Sequence, residues 1–141
     1  MRGHLQAVAS FLAPLGYPVH LFHAEGPGDG VTPPVPYLVL RGPSWDTGDE
    51  VGVCGGRDQL DTRVNVTAAA STAEGALVVL GRVRDLVGAR AVLSVAGRAA
   101  QVSDHRSEVN PQIDWDLRLP NSNRHPGFGV DSYRLTSHPT A

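Results

Sequence analysis

Two amphipathic helical stripes, several segments that alternate with period two, and the order helix, strands, helix, strands predict an α+β fold. The expected architecture is a single α+β domain over residues 1–141, a mostly antiparallel β-sheet packed by two α-helices. Sixteen glycines and eleven prolines in 141 residues make the chain loop-rich but leave it short of the composition of disordered sequences. A chain of this length buries roughly two-thirds of the surface that it exposes when unfolded, enough for one core.

Leu5, Val8, Phe11, Leu12 and Leu15 share one stripe, so residues 3–13 read as a short helix that Pro14 and Gly16 stop. Residues 17–24 alternate and read as a strand partly buried on both sides. Gly26-Pro27-Gly28-Asp29-Gly30 and Pro33-Pro34 form a long loop. Residues 36–41 are a second strand, expected to run antiparallel to the first. Residues 42–56, rich in Gly and acids, are an extended loop with room for a short strand at 50–53.

Residues 58–69 carry the cleanest alternation in the chain, with Leu60, Thr62, Val64, Val66 and Ala68 inward. Ser71-Thr72-Ala73-Glu74 reads as a capping box in which Ser71 and Glu74 satisfy backbone donors reciprocally. The stripe Ala76, Val79, Leu80, Val83, Leu86 and Val87 then predicts a helix that Gly88 ends. Strands are expected at 91–95 and 98–103, a polar stretch at 104–112, a strand over 113–119, a loop at 120–127 and a last strand at 128–137.

The charge pattern excludes several functions. All twelve basic residues are arginine, fourteen residues are acidic, and the net charge is −2, which gives no drive toward nucleic acid or anionic membrane. The absence of Lys, with abundant Ala, Gly, Val and Pro, fits a GC-rich genome. The single Cys54 excludes an internal disulfide and an all-Cys metal site. The first residues lack the apolar core of a signal peptide, and no apolar run approaches the ~18 residues of a membrane span, so a soluble chain made in a cytoplasm is expected.

Chemistry is hard to find. His20 and His23 fall on opposite faces of a strand, and none of the six histidines has a metal-ligand spacing such as HExxH. Cys54 has no nucleophile signature around it. The glycines at 26–30 match neither phosphate-loop pattern. Asn65-Val66-Thr67 matches a glycosylation acceptor by chance. Asp114 and Asp116 share one strand face, a spacing open to acid–base work but commoner on a solvated strand. No catalytic, cofactor-binding or metal residue is assigned, no cofactor is expected, and enzyme activity is disfavoured.

The order of motifs resembles a family. The N-terminal helix, the strand Val35-Pro36-Tyr37-Leu38-Val39-Leu40 and an acidic, Gly-rich loop come first. Next, the strand Leu60-Asp61-Thr62-Arg63-Val64-Asn65-Val66-Thr67 runs into Ser71-Thr72-Ala73-Glu74-Gly75-Ala76-Leu77 and a helix bearing Val83-Arg84-Asp85-Leu86. The chain closes on Val130-Asp131-Ser132-Tyr133-Arg134-Leu135-Thr136-Ser137-His138-Pro139. Over nearly its whole length this resembles the small tail-terminator, or tail-completion, proteins of long-tailed phages, especially those of actinobacterial hosts.

The resemblance implies a structural virion protein at the head-proximal end of the phage tail. It would form a homo-oligomeric ring, usually a hexamer, that caps the tail tube, stops its polymerisation and joins it to the head connector. The implied partners are further copies of the chain, the major tail (tube) protein and the head–tail connector or neck protein. DNA enters only as cargo through the lumen, and neither a small-molecule substrate nor a membrane is involved. The family supplies no catalytic residues, and the loops 26–36 and 120–127 match no family motif. Trp45 and Phe128 are candidate interface anchors, with Asp49, Glu50, Arg57 and Arg124 as charged contacts. Two alternatives stay open: a neck or head-closure protein of the same virion, and a small ligand-binding or hydrolytic domain using His105, His125 and Asp114 or Asp116.

Overall fold

The computed structural model describes residues 2–42 and 59–140. Helix α1 spans Arg2–Leu12 and passes into a 3-10 turn, Ala13–Leu15. Leu5, Val8 and Leu12, spaced by three and four, are its buried face. Gly16 closes the turn at φ 84°, its N–H donating to the Ala13 carbonyl at 3.0 Å, a conformation that favours glycine. Strands β1 (Val19–Leu21), β2 (Tyr37–Arg41) and β3 (Leu60–Ala70) follow, then helix α2 (Ala73–Val87) and strands β4 (Arg90–Val95), β5 (Arg98–Ile113) and β6 (Gly127–Pro139).

The protein is an α+β fold in which one six-stranded sheet has the order β1-β2-β3-β6-β5-β4. The sheet is mixed. Contrary to the expectation of an antiparallel first pair, β1 and β2 run parallel, with Val19 opposite Leu38, while the other pairings are antiparallel. Parallel neighbours need a crossover of about a dozen residues or more, and the Gly/Pro-rich segment 22–36 is long enough to supply one.

Alternation along the strands divides the sheet into two faces. Leu38, Leu40, Val64, Val66, Ala68, Ala100, Val102 and Leu135 point inward and form one core with Leu5, Val8 and Leu12 of α1 and Val79, Leu80, Val83 and Val87 of α2. The sheet curls so far that α1 touches β1 and β2 at one edge and β4 at the other. The opposite, helix-free face carries Tyr37, Val39, Thr67, Ala69, Phe128 and Val130, as their register shows.

Three local expectations are corrected. The cap of α2 is Thr72 rather than Ser71: its Oγ1 accepts from the Gly75 N–H at 2.9 Å, so the helix begins one residue later than a capping box requires. Glu74 still sits in the first turn, where a carboxylate suits the helix dipole. The polar stretch 104–112 belongs to β5, whose backbone is paired with β6 through several register shifts, one of them following Asp104 at φ 52°. The strand expected over 113–119 ends at Ile113. There Asp114 Oδ1 accepts from the Asp116 N–H at 3.1 Å and turns the chain.

Helix α2 lies against β6 because glycine leaves room for it. A Cβ on Gly127 would stand 2.2 Å from the Thr72 carbonyl carbon and the Ala73 nitrogen, and one on Gly129 2.9 Å from Leu80 Cδ1. Gly81, within α2, has nothing within 4 Å of the same position. Gly127→Ala is therefore expected to lower unfolding free energy by about 3 kcal/mol, since backbone must move. Gly81→Ala is expected to raise it by about 1 kcal/mol through helix propensity. Urea denaturation of the two variants checks both signs.

Candidate functional site

The helix-free face is partly roofed by a lobe built from residues 22–36 and 114–126. Its two halves are joined by backbone bonds: the Thr32 N–H donates to the Arg118 carbonyl at 2.9 Å and the Arg118 N–H to the Gly30 carbonyl at 2.8 Å. Gly26 is required at this junction, because a Cβ there would lie 1.7 Å from the Val31 carbonyl oxygen. The second half is held by its own bonds, Asp114 N–H to the Pro126 carbonyl at 2.9 Å and His125 Nδ1 to the Leu117 carbonyl at 2.7 Å. The Trp115 ring packs edge-on to His125 at 5.1 Å yet remains 70% exposed.

Between lobe and sheet lies a cavity of about 320 Å³. Strands β2, β3 and β6 supply its floor through Val39, Thr67, Ala69, Phe128 and Val130, and the lobe supplies Ala24, Leu117 and Pro126. Its polar groups are His23, Tyr37, Arg41 and Asp114. Arg41 is held in place by its Nε, which donates to the Phe22 carbonyl at 2.8 Å. Phe22 itself sits at φ 72° and donates its N–H to the Leu40 carbonyl at 2.8 Å, which turns the chain out of β1 and over the cavity. Tyr37 packs edge-on against His20 at 5.5 Å. Burial, and after it the nearby Asp114 carboxylate, pushes the Tyr37 phenol up. An apolar floor with a cation and an anion on its walls suits an amphipathic group.

A second cluster lies on the other side of the sheet. Asp131 is fully buried among the core residues. Its Oδ2 accepts from Arg84 Nε at 2.8 Å and lies 3.0 Å from His105 Nε2, while Oδ1 accepts from Arg84 Nη2 at 3.2 Å. The forked contact raises the Arg84 pKa. Tyr133, two residues on and on the same face, has a buried hydroxyl with no hydrogen-bond partner among the described residues. Burial first, and the Asp131 charge second, push its phenol well above the ordinary range.

The sequence-derived candidates are distributed as follows. Phe128 lines the cavity. Arg124 is exposed on the lobe, where its carbonyl accepts from the Leu119 N–H at 2.8 Å. Trp45, Asp49, Glu50 and Arg57, with Cys54, lie outside the described residues. His105, His125, Asp114 and Asp116 do not converge: His105 meets Asp131 on the helix-covered face, whereas Asp114 lines the cavity on the opposite one. Asp114 and Asp116 share a turn instead of a strand face. Among the described residues, no three of His, Cys, Asp and Glu are grouped to hold a metal ion. No described helix is long and apolar enough to cross a membrane.

Sequence reasoning missed Arg41, Tyr37 and Asp131. The signal for the first two was the alternation Tyr37, Val39, Arg41, a second patterned face on a strand already apolar on its other side. For Asp131 it was a carboxylate in phase with Tyr133 and Leu135.

No protein-family model matches the chain, and no curated protein matches it. A solved structure 14% identical in sequence overlays 95% of this chain and 94% of its own length with a TM-score of 0.56. That likeness is one of fold.

The buried cluster can be probed by substitution and by pH. Arg84→Ala leaves the Asp131 carboxylate in the core without its guanidinium and is expected to cost about 3–5 kcal/mol. The double change Arg84→Met with Asp131→Leu is expected to recover most of that loss in chemical denaturation. The phenols give a pH dependence. The folded state holds Tyr37 and Tyr133 above their ordinary 10.0, so their share of stability is intact below that pH. It is lost as pH rises past 10.0 toward the raised values. Tyr133→Phe is expected to leave stability at pH 7 undiminished, since it removes a hydroxyl with no partner among the described residues, and to flatten the alkaline limb of a stability–pH profile.

Proposed function

We propose that this chain is a tail terminator of a long-tailed phage, a virion structural protein that forms a ring on the head-proximal end of the tail tube. The ring, with six copies as its expected number, stops tube polymerisation and presents the surface to which the head connector or neck protein joins. DNA passes through its lumen as cargo. The observation that carries this reading is the two-sidedness of the subunit. One core holds both helices against one face of the sheet, and the other face bears a built cavity under a lobe of loops. Such a subunit offers different surfaces on opposite sides, the arrangement that a head-to-tail ring needs. Further support comes from the order of elements: the segments 35–40, 60–67, 71–87 and 130–139 that carry the family resemblance are β2, β3, α2 and β6.

The test is assembly with the tube protein. Added to polymerising tube protein, the chain is expected to shorten the tubes and to label one end of each in electron microscopy. Label along the tube wall, or unchanged tube length, would overturn the proposal. Binding to the head vertex without affecting tubes would assign the chain to the neck instead.

A further inference from the structure

We infer that the cavity on the helix-free face receives the outward stripe of helix α2 from a second copy of this chain. The inference rests on the ring reading above and names the surfaces that meet. On the cavity side, Arg41 and Asp114 stand on the walls around the apolar floor of Val39, Ala69 and Val130. Neither Arg41 nor Asp114 has an ion-pair partner among the described residues. On the other side of the subunit, α2 leaves Leu77 and Val78 47% and 50% exposed. They lie between Glu74 and Arg82, which are themselves exposed, at spacings of three, four and eight residues, on the side of α2 turned away from buried Ala76, Val79, Leu80 and Val83.

The two surfaces complement each other in sequence of charge. The helix offers acid, apolar pair, base over about 12 Å of its length. The cavity offers base, apolar floor, acid. Glu74 against Arg41 and Arg82 against Asp114 place Leu77 and Val78 over the floor; the reversed direction sets like charges together, so the charges fix polarity as well as attraction. Arg82 is held for this contact by Tyr17, whose hydroxyl its Nη1 contacts and whose ring lies 5.9 Å beneath its guanidinium carbon. Because the helix stripe and the cavity belong to opposite sides of the sheet, each copy docks onto one neighbour and receives another. The contact is heterologous, and the ring reading takes the case in which the rotation between successive copies closes.

Two surface variants decide the matter: Leu77→Asp, which disables the stripe, and Thr67→Trp, which fills the cavity. Each is checked for native circular dichroism and melting, and then studied by light scattering at concentrations where the unaltered chain forms rings. Each variant alone is expected to associate at least about tenfold more weakly. Their equimolar mixture is expected to give a one-to-one heterodimer and nothing larger, since it contains a single intact pair of surfaces. Arg41→Glu and Glu74→Arg are each expected to weaken assembly, and the two together in one chain to restore it, a result independent of how well the cavity accommodates the indole in Thr67→Trp. Rings from both folded single variants, or failure of the charge exchange to restore assembly, overturn the inference and leave the ring reading to another interface. An unaltered chain that stays monomeric both at millimolar concentration and on tail tubes overturns both.

Discussion

A buried carboxylate sets the architecture. Asp131 lies inside the curl of the sheet, where an uncompensated charge is not tolerated, and the fold must bring it partners. Arg84 comes from α2 and His105 from β5, so one side chain of β6 fixes both the rotation of the helix and the position of the neighbouring strand. The bulge following Asp104 is part of the same requirement, because β5 changes register with β6 just where His105 reaches Asp131. Strand alternation carries the effect through the sheet. Val130, one residue back, faces the other way and forms part of the cavity floor, so the residues that hold α2 also hold the floor beneath the lobe.

Curling raises a second constraint. A six-stranded sheet that bends around its helices leaves two edges exposed to pairing with other chains. Helix α1 spans the inside of the curl, touching β1 and β2 on one side and β4 on the other, which sets its Leu5, Val8 and Leu12 in the same core that α2 fills. The far half of β5, beyond the reach of β4, is guarded. Register shifts and Pro111 interrupt its ladder, and charged or polar side chains dominate it.

How much of this was legible in the sequence depended on whether local pattern and tertiary role coincided. They coincide in β3 and α2: the alternation of residues 60–70 and the stripe from Ala76 to Val87 each answer to one buried face. They diverge where tertiary context decides. The direction of β1 relative to β2 is set by where the crossover 22–36 leaves the chain, which no strand pattern encodes. The alternation of Ile113, Trp115 and Leu117 imitates a strand, yet the Asp114 side chain turns the backbone and leaves Trp115 in solvent. Phe128, expected from its place in a loop to be an interface anchor, lies instead in β6 and lines the cavity, whereas nothing local marks Arg41, because a terminal arginine on an apolar strand looks like an ordinary solubilising end. Asp131 went unmarked for the opposite reason: its neighbours Val130 and Ser132 make the strand look evenly mixed until the register places it inside.

The arginines explain why the cavity stands out electrically. With no lysine in the chain, cationic contacts fall to a planar, forked group that stitches strands together well. Arg134 of β6 grips Asp61 of β3 with two bonds of 2.9 and 2.6 Å and holds that carboxyl below its ordinary range. Arg63 bonds Asp104 and Ser132 at once, and Arg106 also lies on Asp104. These charges are neutralised across the sheet and project little field beyond it. Arg41 differs from the other two arginines on β2, β3 and β6, since a backbone carbonyl holds it without cancelling its charge. Among the described residues, this face has most of its charges paired, with a cation and an anion left to flank an apolar floor, the feature on which the proposed contact between copies rests. Such a surface is suited to a partner chosen by the spacing of its charges rather than by their sum.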